Sequence, residues 1–258
     1  MNHRFCSTFG RCARLSGAVF SLASLLSGPY ATATELGPYT GRWALRQTTT
    51  TVAEVPVIGK VYATTTAISL HKLKHKGEQL KGKGRLCKLD LDSGSSLVKT
   101  VMPEALLNAL PPPRLGGILR EQDGALRFTQ QRQIIVLGAK LDDPAGGLLP
   151  RGLGDSRIVD QDGDGHPGVT VRVSGIVSGE IRVVQRSWTE LVSTSVSPNR
   201  IDGAVRFGNE QVILDATSSM LKSPPPASPD WSRSTFRLVR LSDGAKCGDA
   251  IAALSGGT

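Results

Sequence analysis

The sequence is sparing with the residues that most often carry chemistry. Its 258 positions hold four cysteines, four histidines, three tryptophans and three tyrosines. No apolar run approaches the roughly 20 residues that span a bilayer as a helix, so the mature chain is not expected to cross a membrane that way. There is no G-x-S-x-G, and the usual serine elbow of hydrolases is therefore missing. No glycine-rich loop opens a helix, which removes the common phosphate cradles of nucleotide enzymes. His71 and His75 have i, i+4 spacing. Lys72 stands where H-E-x-x-H requires Glu, so zinc catalysis is poorly supported. Helix signals are few as well. Only Pro103 to Leu110 has them: Pro at the start, Glu104 in the first turn, and the Pro111-Pro112-Pro113 stop.

What the sequence does have begins at Met1. His3, Arg4, Arg11 and Arg14 form a basic start without an acidic residue, followed by the apolar and small-residue run Leu15 to Leu26. Ser27-Gly28-Pro29 then breaks any helix, and Ala31-Thr32-Ala33 supplies an A-x-A end. These are the parts of a secretory signal peptide. We expect cleavage after Ala33, a mature domain over 34–258, and secreted or periplasmic residence.

Removing the three arginines of the leader takes the net charge from +9 to +6. Cationic residues concentrate in one stretch, from His71 and Lys72 through Lys74, Lys76, Lys81 and Lys83 to Arg85 and Lys88. The expectation here is a hairpin edge that uses lysine to stay soluble and to discourage strand addition. The alternative is contact with a polyanionic surface. Aromatic residues are not interleaved, so nucleic acid is not an expected partner. Cys6 and Cys12 belong to the leader, leaving Cys87 and Cys247. In an oxidising compartment such a lone pair is expected to form a disulfide.

The remaining pattern has period two. Val169, Val171 and Val173 alternate with Thr170 and Arg172. Ile181 to Val184, Val205 to Leu214 and Phe236 to Leu241 continue the pattern. Early strands are read over 39–46, 49–57, 61–72 and 81–91, the threonine runs fitting strand and not helix. Turn signals recur at Gly59-Lys60, Gly77, Asp123-Gly124, Ser178-Gly179, Asp202-Gly203 and Gly208-Asn209. Two segments, 140–155 and 218–233, read as exposed loops. Asp123-Gly-Ala-Leu-Arg-Phe128 and Asp202-Gly-Ala-Val-Arg-Phe207 each precede a similar apolar stretch. They read as a repeated unit of turn, strand, short connection and strand. The expected fold class is all-β: an antiparallel meander forming a barrel or barrel-like sandwich with one short helix.

The most specific stretch is Asp160-Gln161-Asp162-Gly163-Asp164-Gly165-His166. Carboxylates at alternate positions suit a hard cation that takes six to eight oxygens, and Gly165 permits the sharp turn. Asp160, Asp162 and Asp164 are the candidate ligands for calcium, with His166 contributing through its backbone carbonyl. The alternative is an Asp- and Gly-rich turn without metal. Val171 occupies the twelfth position, where an EF-hand needs Glu. At these residues the chain resembles the short calcium loops of thrombospondin type 3 repeats and dockerins. The continuation into Pro167-Gly168-Val169-Thr170 resembles a group of uncharacterised exported bacterial β proteins. That resemblance implies a metal and implies no activity.

Two further motifs bear on function. Asp92-Ser93-Gly94-Ser95 is similar to the aspartic protease motif, but a second copy is absent and a polar turn is the plainer reading. Gly41-Arg42-Trp43 resembles the G-x-W motif of lipocalins. There an arginine of the last strand covers the tryptophan, a part that Arg237 or Arg240 would take. Three readings of function follow. The first is a non-enzymatic binding or structural protein with a structural calcium loop. The second is a lipocalin-like carrier of an apolar small molecule, and the third is a hydrolase with a loop-built site. No catalytic residue is assigned, and the ligand or partner is left open between an apolar molecule and a polyanion.

Overall fold

The computed structural model describes residues 37–55 and 59–255. The expected signal peptide over 1–33 lies outside them. The elements, in chain order, are β1 Gly41–Val55, β2 Gly59–Lys76, β3 Gln79–Asp92, β4 Val98–Val101, α1 Glu104–Ala109 and β5 Arg114–Gln122. They continue with β6 Ala125–Leu137, β7 Val169–Gly175, β8 Gly179–Ser197, β9 Arg200–Ala216, β10 Ala227–Leu241 and α2 Cys247–Ser255. No helix among the described residues is long and apolar enough to cross a membrane.

The expected fold class holds. Antiparallel pairing runs from β1 through β2, β3, β5, β6, β8, β9 and β10, and β10 returns to β1. The result is a barrel-like ring rather than a clean barrel. β3 meets β5, and β10 meets β9, over only five residue pairs each. β7 and β4 form a side flap. The first residues of β8, Gly179 to Val183, pair with β7, and Gln185 to Val192 on the same edge pair with β6.

Local chemistry explains these elements. Thr48 faces Thr66 and Thr50 faces Thr64 across β1 and β2, with hydroxyls 3.4 and 3.2 Å apart. Such cross-strand pairs are the unit of sheet stabilisation. Asp123 and Gly124 both have positive φ, 53° and 72°, between the paired ends Gln122 and Ala125. This is the two-residue turn whose twist matches a hairpin.

Inward-facing residues from all eight ring strands fill the middle. Trp43, Leu73, Leu80, Leu115, Phe128, Leu191, Val205 and Leu238 are almost wholly buried and form one cluster. Outside the ring, Ala250 and Leu254 of α2 pack on Ala44, Ile68 and Leu70. Leu106 of α1 packs on Leu137, Val169 and Val183, beneath the loop that enters β7.

Several expectations are corrected. Asp202-Gly203 and Gly208-Asn209 are not turns; both lie within β9. A Cβ on Gly203 would meet the Val192 carbonyl oxygen at 2.2 Å and the Phe236 ring at 2.5 Å. One on Gly208 would meet the Trp188 ring at 2.4 Å. These glycines serve close approach inside a strand rather than reversal. The repeated segments accordingly form single strands, β6 and β9, without the expected connection. The early segments expected over 39–46 and 49–57 likewise join, within the described residues, into the single strand β1, Gly41–Val55.

The loop expected over 218–233 ends earlier, because β10 starts at Ala227. Pro229 lies opposite Thr51 on β1, while β10 pairs with β9 only from Thr235 onward. Proline is tolerated along such an unpaired edge. The segment 140–155 is irregular as expected. A second helix, α2, joins the expected one. The cationic hairpin is an edge only in part: β3 is paired with both β2 and β5 over Gln79 to Lys83, whereas Arg85 and Lys88 lie where β3 pairs with β2 alone.

Candidate metal-binding loop

The loop between β6 and β7 is anchored at both ends before its carboxylates come into play. Gln161 does much of this work. Its Oε1 accepts from the Gly138 N–H at 2.8 Å, just past β6. Its Nε2 donates to the Ala109 carbonyl at the end of α1, 3.1 Å away. Backbone bonds from Gln161 N to Gly168 O and from Gly168 N to Val159 O close the loop at its neck.

Within that neck the chain coils around Asp160. Its Oδ1 accepts from the N–H groups of Gly163 and Asp164, and its Oδ2 from Gly165, at 2.8 to 3.2 Å. Gly163 and Gly165 supply the positive φ, 68° and 85°, that turns the N–H groups inward. Asp164 Oδ1 accepts from His166 N at 2.8 Å, and Asp162 Oδ2 accepts from Thr170 N, the second residue of β7, at 2.9 Å.

This coiling brings one carboxylate oxygen of each of Asp160, Asp162 and Asp164 within 4.8 Å of the others, a group able to hold a metal ion. Asp162 is the most enclosed of the three, and its Oδ1 is buried with no hydrogen-bond partner. Burial pushes the Asp162 carboxyl above its ordinary range. The charges of Asp164 and Asp160 add to that rise, and the Thr170 N–H opposes it. A buried oxygen without a donor is costly, and a hard cation at this point would satisfy it. The donors fit such an ion: all are oxygens, and each carboxylate oxygen that accepts one N–H keeps a lone pair. His166 is exposed, and its N–H is taken by Asp164. Val171 packs against the Leu106 cluster, so the EF-hand position supplies no ligand.

The other singled-out residues fall elsewhere. Cys87 of β3 and Cys247 of α2 form a disulfide with Cα atoms 5.2 Å apart. Asp92 Oδ1 accepts from Gly94 N, and Ser93 Oγ from Thr100 N, which makes the protease-like motif a polar turn. His71 is buried with Nε2 2.8 Å from Ser69 Oγ, and His75 meets the Tyr39 ring edge-on. Of the two arginines considered for Trp43, Arg240 covers the ring, at 5.7 Å from its centroid. Arg237 is bound to Asp202 instead.

One cluster carries no local sequence signal. Arg46, Arg237 and Asp202 stand in one cross-strand row on β1, β10 and β9. Arg200 and Arg237 each take one oxygen of Asp202. Burial raises the Asp202 carboxyl, but those two arginines outweigh it and hold it below the ordinary range. The row borders an open cleft of about 590 Å³ that Trp231 and Ser232 also line. No protein-family model, curated protein or solved structure matches the chain.

Proposed function

We propose that this chain is an exported, non-enzymatic binding or structural protein whose 160–166 loop is held by calcium. The observation that carries the metal is the convergence of Asp160, Asp162 and Asp164 around the buried, unpartnered Asp162 Oδ1. Asp160, Asp162 and Asp164 would hold the ion through side chains, and His166 through its carbonyl. The ion's contribution is structural. It would offset three neighbouring negative charges and fix the path from α1 and β6 into β7. Affinity in the range of extracellular modules, with a dissociation constant of about 10⁻⁴–10⁻³ M, is the expectation. The leader over 1–33 supports export, where calcium is plentiful and the Cys87–Cys247 bond persists.

Calorimetric titration with Ca²⁺, beside melting with and without chelator, tests this reading. Heat of binding and a raised melting temperature are expected in the wild type and are lost in D162N/D164N. Asparagine keeps the loop's shape and removes the charge, so a variant that binds equally well overturns the reading.

A carrier role is the second reading, favoured by Arg240 over Trp43 where the first and last strands meet. The filled middle of the ring weighs against it, because an apolar ligand would have to displace Phe128, Leu191 or Leu238. Titration with an apolar fluorophore separates the two: saturable one-to-one binding supports the carrier.

A further inference from the structure

The cationic residues of the β2–β3 hairpin fall into rows that extend over four strands. Arg42 of β1 lies opposite Lys72 of β2, Lys72 opposite Lys83 of β3, and Lys83 opposite Arg114 of β5. The next row sets Lys74 opposite Lys81. The residues that alternate with them, Trp43, Leu73, Leu80 and Leu115, are buried in the ring. The cations therefore share the outer face.

Like charges directly opposite each other destabilise a sheet. Here they stand about 5 Å apart across strands and about 7 Å apart along them. None of these six makes an ion pair with another described residue. Arg42 donates to the Ala245 carbonyl and Lys81 to Gln79 Oε1. Of the acids flanking these segments, Glu78 faces Arg120 at 3.7 Å and Asp249 accepts from Lys246 N at 2.7 Å. The segment entering α2 walls one side of the rows. Between them lies a cleft of about 370 Å³ lined by Arg42, Lys72, Lys83, Arg85 and Lys246, with no carboxylate.

Edge protection does not explain Lys72, Lys81 and Lys83, because each is paired with a neighbouring strand on both sides. We infer that this face binds a linear acidic polysaccharide. The row from Arg42 to Arg114 spans three strand spacings, roughly 15 Å, a length that engages successive charged groups of one polymer. The lining has no Phe, Tyr or Trp on which bases would stack, and its one imidazole, His71, is buried. The large exposed apolar residues, such as Leu148, Ile176 and Met220, lie outside the rows. A membrane-inserting wedge is thus absent from this face among the described residues. Charge alone is offered, at regular spacing, beside a shallow wall.

The test uses the mature protein and heparin as probe, with neutral dextran as blank. Two double variants carry the same charge change: K72E/K83E in the rows, and R151E/K222E on exposed loops outside them. Heparin binding should weaken steeply with salt. K72E/K83E should lower affinity at least tenfold and flatten the salt dependence, and R151E/K222E should change it less than twofold. The single variant K83E places a carboxylate between Lys72 and Arg114, relieves their repulsion and keeps the fold, so its loss of binding reports the face itself. Equal losses in both double variants would mean that net charge alone is at work, and would overturn the site. So would unchanged binding by K83E, or no binding of the wild type at 50 mM salt. Affinity for a DNA duplex or for phosphatidylglycerol vesicles equal to that for heparin would overturn the polysaccharide as partner.

Discussion

Arg240 of β10 lies over Trp43 of β1, its guanidinium carbon 5.7 Å from the ring centroid. Its two terminal nitrogens donate to the carbonyls of Pro38 and Thr40. Trp43 is itself fully buried and donates from Nε1 to the Tyr39 carbonyl at 3.0 Å. One arginine thus ties the last strand to the chain that enters the first, at the place where the ring closes on itself. Replacing Arg240 with Met keeps much of the apolar stem and deletes the charged donors. We expect a loss of about 1–3 kcal/mol, since two carbonyls then lack their partner. Trp43→Ala should cost about 3–5 kcal/mol through the cavity it leaves. Urea unfolding of both variants measures these values, and a cost for Arg240→Met below the scatter of the method would show that the closure does not depend on it.

The Cys87–Cys247 bond fastens α2 to β3 across 160 positions. In the chain-entropy account a loop of that length restricts the unfolded state by about 5 kcal/mol. The C87S/C247S variant should lose stability of that order in guanidinium unfolding. A loss under about 1 kcal/mol would mean that Ala250 and Leu254 hold the helix by packing alone.

These residues also mark what could be read in the sequence. Alternation and tight turns located most strands, because one face of each is buried and the other is not. The two mature cysteines left a single possible pairing, and the Asp160-x-Asp162-x-Asp164 spacing announced its own convergence. The turns assigned at Gly203 and Gly208 fail for a physical reason. Glycine has two uses, positive φ and the absence of Cβ, and only the fold tells which applies. Helix α2 is too short for a full apolar stripe. Its one local signal was Asp249, whose side chain reaches back to Lys246 N as in a capping box. The Arg46, Arg237 and Asp202 row, and the step from a charged hairpin to rows over four strands, depend on β1 meeting β10 and β3 meeting β5. Those pairings join distant segments, and no window of sequence contains them.

Asp202 is the single carboxylate between Arg200 and Arg237, with Arg46 next in the row. Asp202→Ala leaves Arg200 and Arg237 without the carboxylate that each of them binds. A loss of about 1–3 kcal/mol is expected, and added salt should recover part of it by screening. A variant as stable as the wild type at low salt would show that solvent already screens the cluster.

His71 gives the fold a pH dependence of definite sign. The ring is 1% exposed, with Nε2 at 2.8 Å from Ser69 Oγ and Nδ1 buried without a partner. Gly84 lies against it so closely that a Cβ there would meet Nδ1 at 2.6 Å. Burial pushes the imidazole pKa down to about 4, from 6.5. Between those values the unfolded chain takes up a proton that the folded chain refuses. The folded state is therefore fully favoured above about pH 6.5 and loses stability as the pH falls toward 4, by about 3 kcal/mol in all. His71→Gln removes the titrating group and keeps a polar partner for Ser69. Denaturant midpoints at pH 4.5, 5.5, 6.5 and 7.5 should slope upward in the wild type and run flatter by one proton in the variant. Carboxylates titrate mainly below this window, so they do not mimic the effect at pH 5.5. Parallel curves for the two proteins would mean that the folded ring accepts the proton after all, through water reaching Nδ1 beside Gly84.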